Sequence, residues 1–163
     1  MSPLDILKNA ILMERRGKAF YEQVATDTKI DAVRNIFFFM AKEEQTHIEQ
    51  LSEQYIYFKQ HNTYLVKTFP SEDVGFVEKI MTKDIKKQIN AAGFEAAAIS
   101  AAIDFETKAI DVYTQAALDA ADPAQRSIFH WLAEWEKGHH KILHQLNEEL
   151  KEEIWYDNNF WPF

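Results

Sequence analysis

Six residues in this chain have types and spacings suited to metal chemistry: Glu14, Glu44 with His47, Glu106, and Glu136 with His139. Offsetting the sequence against itself by 92 positions places Glu14 on Glu106, Glu44 on Glu136 and His47 on His139. Tyr21 falls on Tyr113, and Phe37, Ala41 and Leu51 fall on Phe129, Ala133 and Leu143. Shared helical periodicity favours apolar identities, so matches at acids and histidines mark a repeated chemical unit. Each unit is one Glu followed 30 residues later by Glu-x-x-His. Residues three apart on a helix share a face, so the Glu and His of each pair can approach one ion.

The elements that must position these residues are helices. Gly and Pro are scarce, four of each, and they sit near the breaks between long amphipathic patterns. The first helix is expected from Ser2-Pro3, a capping pair, to about Ala25, with "TDTKID" as a polar turn. The second runs from about Ala32 to His61. An irregular connector follows at about 62–93, with a short amphipathic helix in "KDIKKQINA". The third helix is expected over Phe94–Ala121. After "ADP", where Asp122 caps and Pro123 takes the first helical position, the fourth runs from Ala124 to Glu152. The aromatic tail 153–163, ending "WYDNNFWPF", is read as non-helical. Short loop, long connector, short loop predicts an all-α, antiparallel four-helix bundle of two helix hairpins, about 2–61 and 94–152, joined by a long crossover within a single domain of 1–163.

The six residues lie on the core stripes of those helices. Glu136 and His139 interrupt the seam Phe129, Leu132, Leu143, Leu146, and Glu44 and His47 interrupt Phe37, Met40, Leu51. Glu14 shares a face with Leu7, Ile11 and Tyr21, and Glu106 with Ile99, Ile103 and Tyr113. Glu14 and Glu44 stand nearly equally far from the first turn, and Glu106 and Glu136 from the second, so all four carboxylates should meet at one level. A buried ionised carboxylate is very costly unless paired or metal-bound, and these stripes carry no Lys or Arg at that level. Two divalent cations would neutralise four carboxylates, with two imidazoles completing the ligand set. A Glu from each of two helices plus Glu-x-x-His from each of the other two is the arrangement of di-iron and di-manganese carboxylate bundles.

Composition narrows the alternatives. A net charge of −8 disfavours nucleic acid as a partner. The absence of Cys excludes disulfides, thiolate zinc sites and Cys-held iron–sulfur clusters. No apolar run is long enough to span a membrane and no signal peptide is visible, so the expectation is a cytoplasmic protein.

In "MERRGKAFY", "AKEEQTHIEQL", "DFETKAIDVY" and "AEWEKGHHKIL" the chain resembles the ferritin-like superfamily, and most closely its rubrerythrin-type domain. The resemblance covers nearly the whole chain. It implies two iron ions per chain, with manganese or zinc as alternatives, held by Glu14, Glu44, His47, Glu106, Glu136 and His139. It leaves open which carboxylates bridge the ions and which bind terminally. It further implies reduction of hydrogen peroxide or dioxygen, Tyr21 and Tyr113 bonded to ligand carboxylates, and a homodimer; iron handling without turnover is the alternative. Rubrerythrins usually carry a further Glu three residues after the third-helix Glu, where this chain has Ala109, so the ligand exchange made with that Glu is expected to be absent. They also usually carry a Cys₄ rubredoxin domain, so here electrons are expected from a separate donor protein.

Other polar residues are read as bystanders. His140 lies one position off the seam; it and His144 are assigned to a solvated face, as are Glu43, Glu49 and Glu134. His61 and His130 are expected at the surface or its boundary. Phe37, Phe38 and Phe39 cannot all face one core, and part of that run is expected to meet another subunit.

Overall fold

The computed structural model describes residues 1–72 and 93–157. Four helices run through them: α1 (Pro3–Asp27), α2 (Asp31–His61), α3 (Phe94–Asp119) and α4 (Pro123–Asp157). The helices of each hairpin, α1 with α2 and α3 with α4, pack closely, and the two hairpins meet as a four-helix bundle. No helix among the described residues is long and apolar enough to cross a membrane. The expected short helix at 83–91 and the last residues of the aromatic tail lie outside the described residues.

Local chemistry sets the helix ends. The Ser2 hydroxyl accepts from the Asp5 amide at 3.2 Å, with Pro3 at the first helical position. Asp122 caps α4 by accepting from the Ala124 amide at 2.8 Å. α2 ends at Asn62, which adopts the left-handed conformation (φ 54°) and donates its amide to the Phe58 carbonyl. Arg34 closes the first turn by donating to the Ala25 and Thr28 carbonyls at 3.3 and 2.9 Å. Its counterpart 92 positions on, Arg126, donates to the Ala120 carbonyl at 2.9 Å, so the repeat extends to how each hairpin is fastened. α4 departs from expectation, continuing to Asp157 and taking in Trp155 and Tyr156. No Gly or Pro lies between Gly138 and Pro162 to halt it, and Trp and Tyr are only mildly unfavourable in a helix.

The core is divided into two apolar clusters. One holds Tyr21, Val24, Phe37, Met40, Ile99, Leu143 and Leu146. The other, nearer the opposite end, holds Leu7, Leu51, Tyr113, Ile128, Phe129 and Leu132. The six chemically suited residues lie along the helices between them. Phe37 is buried, Phe39 packs partly on the first cluster and Phe38 is exposed.

The two seams between hairpins differ. The start of the connector crosses α2 and α4: the Gln54 amide clasps the Leu65 backbone with two 2.9 Å bonds, Phe69 stacks on Trp131 at 5.0 Å, and Trp131 Nε1 donates to the Pro70 carbonyl at 3.0 Å. Between α1 and α3 an apolar groove of about 910 Å³, lined by Met13, Phe20, Phe105, Val112 and Tyr113 among others, opens outward. Gly17 sits at this seam, where an added Cβ would fall 2.7 Å from the Phe105 ring. Gly17→Ala is therefore expected to displace Phe105 from its edge-on contact with Tyr21 and to destabilise the protein by about 1–3 kcal/mol. Thermal denaturation checks this; an unchanged midpoint would show that the ring moves aside freely.

Candidate metal centre

Helix geometry brings all six residues together. The ligand atoms of Glu14, Glu44, His47 and Glu136 lie within 4.8 Å of one another, as do those of Glu44, Glu106, Glu136 and His139. The two quartets share Glu44 and Glu136, whereas Glu14 and Glu106 each belong to one. Each quartet takes three residues from one hairpin and one from the other. His47 Nδ1 stands 3.0 Å from Glu14, 3.3 Å from Glu44 and 3.0 Å from Glu136. His139 Nδ1 stands 3.0 Å from Glu136 and 3.4 Å from both Glu44 and Glu106. Both rings thus turn the same nitrogen inward.

All six are at most 1% exposed. Among the described residues, no Lys or Arg pairs with any of the four carboxylates. Glu44 Oε1, Glu106 Oε2, both Glu136 oxygens and His139 Nδ1 are buried without a hydrogen-bond partner. Converging acceptors with nothing to accept from are what a cation site presents. The donor set, four carboxylates and two imidazoles, suits iron, manganese or zinc.

Packed together, these groups shift one another's proton affinities. Burial, with Glu136 and Glu14 nearby, holds Glu44 well above the usual carboxylate range. Burial and the neighbouring Glu136 push Glu106 up to about 8. Burial acts to lower His47 and His139, but the carboxylates around them, chiefly Glu136 for His47 and Glu106 for His139, carry both well above the ordinary imidazole value. Burial would raise Glu136 too, yet the two imidazoles hold it well below the usual range.

Two tyrosines brace the centre across the hairpins. The Tyr21 hydroxyl donates to Glu106 and the Tyr113 hydroxyl to Glu14, as the repeat requires of a symmetric pair. Burial, with those carboxylates opposite, raises both phenols well above 10, so they remain donors.

Glu43 corrects the sequence reading. Expected on a solvated face, it is 8% exposed, and one of its carboxylate oxygens accepts from both Trp135 Nε1 and His139 Nε2. A signal was present: Ile36, Met40, Glu43 and His47 form a second seam beside the one through Glu44. The repeat hid it, because the mate of Glu43 is Trp135. Of the other residues assigned to solvent or surface, His140 is half-buried and the rest are exposed. Glu49 and Glu134 are exposed, and Glu134 pairs with Lys137. His61 and His130 are exposed, and the His140 ring lies parallel to that of exposed His144 at 6.0 Å.

No curated protein and no solved structure matches the chain. The family model described as Rubrerythrin matches residues 5–147. That span runs from the first turn of α1 through both Glu-x-x-His pairs, and the chain belongs to the rubrerythrin family.

Proposed function

We propose that the protein is a non-haem di-iron oxidoreductase that reduces hydrogen peroxide or dioxygen. The observation that carries this reading is the pair of quartets sharing Glu44 and Glu136, buried with no basic partner among the described residues. In this reading Glu44 and Glu136, common to both quartets, would be shared by the two ions, with Glu14 and His47 completing one ligand set and Glu106 and His139 the other. Two ferrous ions held there would supply the two electrons that, with two protons, convert hydrogen peroxide to two molecules of water.

The chain's own groups prepare that chemistry. Tyr21 and Tyr113 fix the free rotation of Glu106 and Glu14. The apolar clusters on either side keep bulk water from the carboxylates, which strengthens every charge interaction within. Ala109, fully buried, offers no carboxylate for an exchange of ligands, so the ligand set is expected to stay the same through the redox cycle. A separate donor protein would return the electrons, and the working form is proposed to be a homodimer in the cytoplasm.

Anaerobic protein given ferrous iron is expected to bind close to two ions per chain, and then to develop near-ultraviolet ferric absorption on addition of peroxide or dioxygen. Two bound ions without that change would leave an iron-binding protein rather than an oxidoreductase. Comparing the two oxidants at equal concentration identifies the substrate.

A further inference from the structure

The six candidate ligands and their two tyrosines correspond under the repeat, but the groups behind the histidines do not. His139 Nε2 lies 2.6 Å from the Glu43 carboxylate. A carboxylate only accepts, so the proton of a neutral His139 must sit on Nε2, leaving the Nδ1 lone pair facing Glu44, Glu106 and Glu136. Trp135 donates to the same Glu43 oxygen and fixes it in place. Behind His47 no carboxylate stands within hydrogen-bond reach among the described residues. Its Nε2 is buried without a hydrogen-bond partner, and the Trp131 and Trp135 rings stand edge-on at 5.4 and 5.1 Å. Ring faces are weak acceptors compared with a carboxylate. The residue that would serve His47 as Glu43 serves His139 is Trp135 itself.

We propose that Glu43 is a positioning residue that makes the two metal sites unequal, with the ion on the His139 side bound more tightly than the ion on the His47 side. A carboxylate behind a ligating imidazole fixes its tautomer and orientation and raises its basicity, an effect of roughly 10- to 100-fold in affinity. This rests on the two-metal reading above. The chain would fill and empty its sites in a set order, with the His47-side ion exchanging first.

The test is a zinc titration of the whole chain against a competing chromophoric chelator, for the unchanged protein, Glu43→Gln, Glu43→Leu and Glu106→Ala. Zinc is redox-silent, so binding is read apart from turnover. The unchanged protein should show two steps, the tighter one missing in Glu106→Ala. Glu43→Leu should weaken that same step by roughly 10- to 100-fold and leave the other in place; Glu43→Gln, which keeps an accepting oxygen without the charge, should fall between. In the zinc-loaded protein the His139 Nε2 proton should resonate well downfield of its His47 counterpart and move upfield in Glu43→Gln, which a purely structural role would not produce. Two bound ions with both steps unchanged, or equally weakened, in the Glu43 variants would overturn the proposal. Fewer than two ions in the unchanged protein would overturn the two-metal reading, and this inference with it.

Discussion

Glu136→Ala should abolish binding of both metal ions, whereas Glu14→Ala should leave one. The difference follows from membership: Glu136 belongs to both quartets and Glu14 to one. Glu136 also offers an oxygen 3.0 Å from each inward-facing histidine nitrogen, so its loss takes a ligand and a charge from both positions at once. The variant should remain helical, because the two apolar clusters on either side of the centre hold the four helices together without it. Metal analysis after saturation with ferrous iron, beside circular dichroism, decides the point. Two ions retained in folded Glu136→Ala would refute the shared role, and equal losses in the two variants would refute the distinction between shared and single carboxylates. Glu106→Ala should behave as Glu14→Ala does, losing the other ion.

The second large effect is an opposed response of metal-free and metal-loaded protein to pH. Glu106 is raised from 4.5 to about 8, and Glu44 is raised as well. A carboxyl group held protonated in the folded state stabilises it fully below about pH 4.5, and that contribution disappears as pH climbs to about 8. His47 and His139, raised above 6.5, lose their contribution in the same direction over a higher window. The metal-free protein should therefore become less stable from pH 5.5 to 8, by an amount on the order of 3–5 kcal/mol. That corresponds to a fall of roughly 10 °C in Tm for a chain of this size. Metal ions displace those protons, so they bind more tightly as pH rises, and saturation at 100-fold above Kd adds about 2.7 kcal/mol per site. Melting curves with and without manganese at pH 5.5, 6.5 and 8 test this. A metal-induced rise in Tm that shrinks with increasing pH would contradict the electrostatic account of the centre.

Much of this architecture was legible in the sequence because it depends on local rules. Ser2-Pro3 and Asp122-Pro123 announce helix starts whatever surrounds them, and the three-and-four spacing around Glu44 and Glu136 determines which side of each helix enters the core. That α4 takes in Trp155 and Tyr156 was not legible, because their aromatic character argues for a tail while no Gly or Pro before Pro162 marks a stop. Which carboxylates are shared was also out of reach. Spacing within a helix says which face a residue occupies, but sharing depends on how two hairpins slide against each other. Glu43 was misread for a related reason: it stands on a seam with Ile36, Met40 and His47, but its partners Trp135 and His139 lie on the opposite hairpin and the repeat offers no matching acid.

Each quartet draws three residues from one hairpin and its fourth from the other. Two ions so held would act as a double clasp, keeping the hairpins together until both had left or lost a ligand. The loaded chain should then open as one cooperative unit, with amide exchange in α1 through α4 slowed together relative to the chain without metal.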